Sequence, residues 1–306
     1  MTITARTTGD LYGYTVVEEE EYGVKSTSGV SEYAGTLISL DTTGGREYEE
    51  DLAEGSFKRD SAVGVSISAG YKATYKLHTS SDWESCIKRV VGDIGGIGTL
   101  RDIPSYTTSI RVASDEYLSW TGCKVDTLSL KSGAIGALIE ASATVSAQYM
   151  APPSSSLAFT DASGTAYTMT PAVKPDTVPL HDNTSWYWSD DSGSTWRSCD
   201  NKTWELTISR GLQAEAGGVG GMPLAAGIGA VPTKCEVALK ITTLSVSKDW
   251  DTLKASGATD LQFKKVMDGK TIMLTGCYLL PDSWPGRTQG VYDETVSVQV
   301  GDITVV

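Results

Sequence analysis

Histidine is almost missing from this chain: of 306 residues only His78 and His181 could serve as neutral-pH bases. The nucleophile elbow G-x-S-x-G is absent as well. Acidic pairs are commonplace in so acidic a chain and do not by themselves single out a glycosidase. No enzyme is therefore expected. Cysteine is sparse and odd in number, at Cys86, Cys123, Cys199, Cys235 and Cys277, with no C-x-x-C pair. Neither a zinc site nor a disulfide framework is indicated, and no cofactor is expected. No run approaches the ~20 apolar residues of a membrane span. The opening MTITARTTGDLYGY has no apolar stretch of the secretory kind, so a soluble protein made in the cytoplasm is expected. Basic charge is also short, 25 Lys and Arg against 38 Asp and Glu, a net charge of −13. That excludes a reader of nucleic acid, which needs cations to replace the counterions of phosphates. It leaves room for a surface past which DNA slides without sticking.

What is present is alternation. Long helix-period runs are rare, while Gly, Ser and Thr are abundant, which predicts an all-β chain with many turns. Gly35–Leu40, Val63–Ser68, Tyr71–His78 and Leu118–Val125 read as strands, and Ser142–Tyr149 alternates cleanly: Ala143, Val145, Ala147 and Tyr149 on one side, Ser142, Thr144, Ser146 and Gln148 on the other. His78 falls on the polar side of its strand and is expected at the surface. The run Glu18–Glu21 is expected to be a solvated face. Ser81–Val91 is the best helix, with Ser81 and Glu84 as a capping box, an apolar face of Trp83, Cys86, Ile87, Val90 and Val91, and Gly92 to end it. The Gly-rich Val91–Leu100 follows a helix and lacks the G-K-[ST] ending, so it is a connection and not a phosphate loop.

The second half repeats the order of the first. Trp204–Ser209, Glu236–Thr242, Leu261–Val266, Lys270–Leu280 and Thr295–Val300 read as strands, and Asp249-Trp250 opens a short helix as Asp82-Trp83 does. Thr121-Gly122-Cys123 and Thr275-Gly276-Cys277 mark equivalent points. We read this as an internal duplication: a first domain over 1–150, a linker or inserted hairpin region over 151–200, rich in proline to about 180, and a second domain over 201–306. Within the insert, Ser189-x-Asp191-x-Gly193-x-Thr195-Trp196 matches the Asp-box pattern of sialidases and other propellers, where it is a hairpin turn remote from the active site. Here it occurs once. The insert is expected to decorate the outside of any assembly, and its deletion to spare that assembly.

With these elements in order, the chain resembles the tail tube (major tail) proteins of long-tailed viruses of bacteria and archaea. The resemblance lies in Glu20-Glu21-Tyr22-Gly23-Val24, Phe57-Lys58-Arg59-Asp60, Val65–Leu77 and the Asp82-Trp83 helix, then in Trp204–Leu212, Cys235–Leu244, Lys248–Leu253 and Asp268–Leu279. It covers most of the chain except about 150–200. It implies two tandem β-sandwich or barrel domains, each with one short flanking helix, whose rings stack into a hollow tube for genome DNA. The duplication then implies homotrimeric pseudo-hexameric rings, with ordinary hexamers as the alternative. Other tail proteins would be partners, no membrane would be involved, and the place of action would be the virion tail. By the same analogy the contacts between rings and subunits fall to Asp41–Ser61 (Arg46, Glu47, Tyr48, Phe57, Arg59) and Gly211–Pro232 (Met222, Pro223). Ser142, Thr144, Ser146 and Gln148 are candidates to face the lumen. The competing reading is a carbohydrate-binding or adhesive β-protein that uses Trp186, Trp188 and Trp196.

Overall fold

The computed structural model describes residues 2–4, 13–25, 30–52, 59–93, 96–97, 103–113, 116–161, 164–199, 201–213, 231–244, 253, 257–280 and 293–306. Its first half comprises β1 (Thr2–Thr4), β2 (Gly13–Glu21), β3 (Val24–Lys25), β4 (Glu32–Leu52), β5 (Arg59–Lys76), α1 (Ser80–Val91), β6 (Gly92–Asp93), β7 (Gly96–Ile97), β8 (Tyr106–Ala113), β9 (Glu116–Ser132), β10 (Ile139–Ala147) and β11 (Tyr149–Met150). A middle stretch holds β12 (Ala158–Thr160), β13 (Ala166–Thr168), β14 (Trp186–Ser189) and β15 (Arg197–Cys199). The remainder is β16 (Asn201–Ser209), β17 (Leu212–Gln213), β18 (Val231–Pro232), β19 (Glu236–Leu244), β20 (Leu261–Met267), β21 (Lys270–Leu279), β22 (Asp293–Val300) and β23 (Asp302–Val305). The chain is all-β with a flanking helix, and every strand pairing described is antiparallel.

Alternation is what builds it. Leu37, Tyr75, Ala141, Leu130, Leu206, Leu239, Val298 and Leu279 lie side by side across β4, β5, β10, β9, β16, β19, β22 and β21, an apolar row across one sheet of eight strands. All but Leu279 are buried, and together with α1 they form one hydrophobic cluster that runs through both halves. In the first half the ladder also closes on itself, β4–β2–β8–β9–β10–β5–β4, which leaves a small barrel. The second half follows the same course, β14–β20–β21–β22–β19–β16, without a ladder from β14 to β16 among the described residues.

The T-G-C echo is a corner. Gly122 sits at φ 63° and Gly276 at φ 60°, where a strand leaves one sheet for the other. In the first half Gln148 donates its N–H to the Thr121 carbonyl at 3.0 Å and Tyr149 pairs with Thr121; in the second Gly301 does the same to Thr275 at 3.1 Å and Asp302 pairs with Thr275. Cys123 and Cys277 are buried beside them, and all five cysteines are free thiols. The two corners differ in room. A Cβ on Gly122 would lie 2.6 Å from the Gln148 Cβ, whereas one on Gly276 meets nothing nearer than the Gly301 Cα at 3.6 Å. Both Ala variants carry left-handed strain of about 1–2 kcal/mol. We expect Gly122→Ala to lose a further 1–3 kcal/mol or so from the clash. Equal losses in urea denaturation would show that Gln148 yields freely.

Helix α1 buries the anticipated face, Trp83, Cys86, Ile87, Val90 and Val91. Its capping box is two residues earlier than the sequence suggests: Thr79 is the N-cap and Asp82 closes the box, with Gly92 at φ 92° after the helix. The second helix falls mostly outside the described residues, of which Leu253 is helical and buried. Two polar residues expected in solvent are buried. His78 accepts at Nε2 from the Thr36 hydroxyl (2.7 Å) and donates from Nδ1 to the Thr177 carbonyl (3.0 Å). Glu19 accepts from the Thr107 hydroxyl (2.8 Å) and from the Gly122 (2.9 Å) and Gly23 (2.8 Å) amides, which pins the β2–β3 turn to the corner.

The middle stretch is not a loose insert. Its first part wraps the first half, where Leu157, Phe159, Tyr167 and Met169 pack with Val17 in a second small core. Leu180 donates to the Leu77 carbonyl and Ile139 to the Leu180 carbonyl. Its second part belongs to the other half, because β14 pairs with β20 as β2 pairs with β8. Deleting 151–200 would remove β14, the strand that pairs along β20, so the expectation that assembly survives the deletion is withdrawn.

Candidate functional site

The polar side of the eight-stranded sheet carries ordered rows of side chains across both halves. One residue along from the apolar row lies a charged row, Lys76, Glu140, Lys131, Glu205, Lys240 and Ser297, in which each lysine stands beside a carboxylate. On the other side lies a row that is small and hydroxyl-bearing from Ser39 through Thr74, Ser142 and Ser129 to Thr207 and continues through Ala238, Gln299 and Tyr278. Next to it runs Asp41, Lys72, Thr144, Thr127, Ser209 and Glu236. Lys131 and Glu140 approach to 3.6 Å, and Ser129 donates to Glu205 at 2.6 Å. These pairs are exposed and add little stability. Their effect is to balance charge: the face is close to neutral although the whole chain carries −13. A hollow of about 690 Å³, lined by Lys131, Glu140, Glu205, Lys240 and Thr295 among others, opens on it where the two halves meet.

That meeting line is a strand pairing. β9 of the first half lies against β16 of the second, from Ser132 opposite Trp204 to Thr127 opposite Ser209. At its far end Asp126 fixes the turn out of β16, its carbonyl accepting from the Arg210 amide (2.8 Å) and its carboxylate from the Leu212 amide (2.7 Å). The spatial order is β4-β5-β10-β9 followed by β16-β19-β22-β21, the same order twice. This joint was not foreseen. The alternation of Leu128, Ser129, Leu130 and Lys131 was there to extend the strand past Val125, but alternation does not name a partner.

Of the lumen candidates, Ser142 and Thr144 stand in the polar rows, and Ser146 shares their alternation, opposite Lys124 on β9 and Gly70 on β5. Gln148 sits at the corner instead. The polar excursion after Leu40 is not a loop. β4 and β5 stay paired from Gly45 opposite Ser68 to Leu52 opposite Arg59, beyond the last β10 pairing at Ala69, as a two-stranded ribbon roughly 25 Å long. Arg46, Glu47, Tyr48 and Arg59 have their backbones in this ribbon, and their side chains lie outside the described residues, as does Phe57. In the second half only the base of the matching hairpin is described, Leu212 opposite Pro232 and Gln213 opposite Val231, while Met222 and Pro223 lie outside.

The tryptophans do not make a carbohydrate platform. Trp186 is 0% exposed and Trp188 3%, so both are core. Trp196 is half-buried, with the Lys264 ammonium 4.0 Å from its ring centre. The Asp-box works as a turn: the Asp191 carboxylate accepts from the Ser189 hydroxyl (2.6 Å) and the Thr195 amide (2.8 Å), and these bonds hold its pKa down at about 2. Among the described residues no three His, Cys, Asp or Glu side chains gather as metal ligands, and no helix is long and apolar enough to cross a membrane. Compared with protein-family profiles and with curated proteins, the chain matches none.

Proposed function

We propose that this chain is a structural subunit that assembles with copies of itself into rings, and through rings into a hollow tube, in the manner of viral tail tube proteins. The joint between β9 and β16 carries the proposal. Two halves with the same strand order are joined through the donor edge of the first and the receiving edge of the second. That leaves a receiving edge at β4 for the donor edge of a second copy, while the residues that follow Leu280 lie outside the described residues. An edge-to-edge joint of this kind is heterologous, so it generates rings when the rotation closes. Because each chain supplies two equivalent units, three chains make a ring of six. The near-neutral, hydroxyl-rich face suits a lumen for DNA, since it offers no cation excess to trade for the counterions of phosphates. The β4–β5 ribbon is of a length to reach a neighbouring ring.

Negative-stain electron microscopy of the purified chain, with its mass distribution in solution, tests this. Rings or tubes with three chains per ring are expected. Six chains per ring would mean that the halves do not act as equivalent units. A monomer that persists at high concentration, even with preformed tubes as seeds, would overturn the assembly reading.

A further inference from the structure

The receiving edge of β4 is already occupied. β1 pairs with it, Thr2 opposite Asp41, Ile3 opposite Leu40 and Thr4 opposite Ser39. The repeat says what belongs there. Counting back five residues from Gln148 and Gly301, whose amides bind the two corners, makes Ala143 equivalent to Val296. Ala143 pairs with Ala73, and Ala73 with Leu40; Val296 pairs with Ile241, and Ile241 with Trp204. Leu40 therefore corresponds to Trp204, and Asp41 to Glu205. In the second half those two positions open the joint, Trp204 opposite Ser132 and Glu205 opposite Lys131. In the first half the same two positions face Ile3 and Thr2. Both pairings are antiparallel, so β1 stands where the last two residues of an incoming β9-like strand would stand.

We propose that β1 is a displaceable guard on the β4 edge, and that a strand from a second copy of this chain takes its place when copies join. The inference rests on the assembly reading above. The guard is short by design: β1 holds three positions, whereas the β9–β16 joint holds six. Past Asp41 the same edge of β4 has no partner strand among the described residues. An incoming strand can therefore pair first along that stretch and then advance over β1, while β1 keeps an isolated chain from exposing the whole edge to chance pairing. A guard of this kind scales the apparent affinity by the fraction of chains in which the edge is open.

The test compares three proteins by light scattering and electron microscopy: the parent, a variant lacking residues 2–4, and a variant with Thr2→Cys and Asp41→Cys oxidised to lock β1 in place. If β1 leaves the edge in roughly a tenth of chains, its removal lowers the concentration needed for assembly about tenfold. The locked variant is expected to stay unassembled until reductant is added. Assembly of the locked form at the parent's rate, or no gain from removing β1, would refute the guard while leaving the tube reading intact. Failure of all three to assemble, seeded or not, would instead sink the tube reading and the guard with it. Amide exchange in the isolated chain gives a separate check. The β4 amides that face β1 should exchange much faster than the β16 amides that face β9, and equal protection would mean that β1 is a permanent strand.

Discussion

Replacing Lys265 by Met is expected to cost the folded chain about 3–5 kcal/mol. Lys265 and Asp182 are both 0% exposed, with Nζ 2.7 Å from Oδ1. Burial lowers the lysine's pKa, and the carboxylate opposes that shift. Nζ donates to the Thr184 carbonyl at 2.6 Å and lies 5.1 Å from the centre of the Trp204 ring, whose indole N–H donates to Asp182 at 2.6 Å. The ammonium thus joins β20 to the segment entering β14, and the carboxylate joins that segment to β16. Removing the cation alone strands a buried carboxylate, and that is the source of the large loss. Converting both, Lys265→Met with Asp182→Asn, is expected to return to within about 1–2 kcal/mol of the parent, because the Asn oxygen still accepts from Trp204. Urea denaturation of the single and double variants decides it. A double variant as weak as the single one would assign the loss to packing and not to charge.

The second large effect is alkaline. Burial pushes the Cys277 thiol up from 9.0 to about 12, and it raises Cys86, Cys123, Tyr14, Tyr71, Tyr75 and Tyr106 as well. These groups are protonated in the fold, whereas the unfolded chain releases its thiol protons near pH 9 and its phenol protons near pH 10. Stability is therefore complete below pH 9 and falls as pH rises, by about 1.4 kcal/mol per pH unit for each such group. Cys277 alone accounts for about 4 kcal/mol by pH 12. Lys265 acts with the opposite sign, since between its depressed folded pKa and the unfolded value of 10.5 the unfolded chain holds the extra proton and the fold gains as pH rises, but it is one group against several. Unfolding is expected before pH 12. A urea midpoint that stays level from pH 9 to 11 would contradict the burial of these groups, and Cys277→Val should remove about one proton from the slope.

The strands were legible because period-2 alternation needs no knowledge of partners, and the T-G-C corners because a glycine at positive φ leaves a mark in sequence. Burial of His78 and Glu19 was not legible. Each is satisfied by groups far along the chain, Thr36 and Thr177 for the histidine, Thr107 and Gly122 for the glutamate, and no local pattern announces such partners. Trp186 and Trp188 misled for a related reason. An aromatic cluster among Ser, Asp and Gly looks like an exposed platform until β20 is known to pair with it. The buried Lys265 sits in an alternating strand beside Lys264, and nothing local separates the lysine in the core from the one in solvent.

The covalent link between the halves has a consequence for stoichiometry. On the assembly reading, the two halves of one chain see each other at the effective concentration of a tethered pair, whatever the dilution. The β9–β16 joint therefore loses no translational freedom when it forms. In the assembly proposed above, every second joint around a ring would already exist when the chain leaves the ribosome. Growth would depend on concentration only at the alternate joints, and a broken ring would fall apart into whole chains and never into single units.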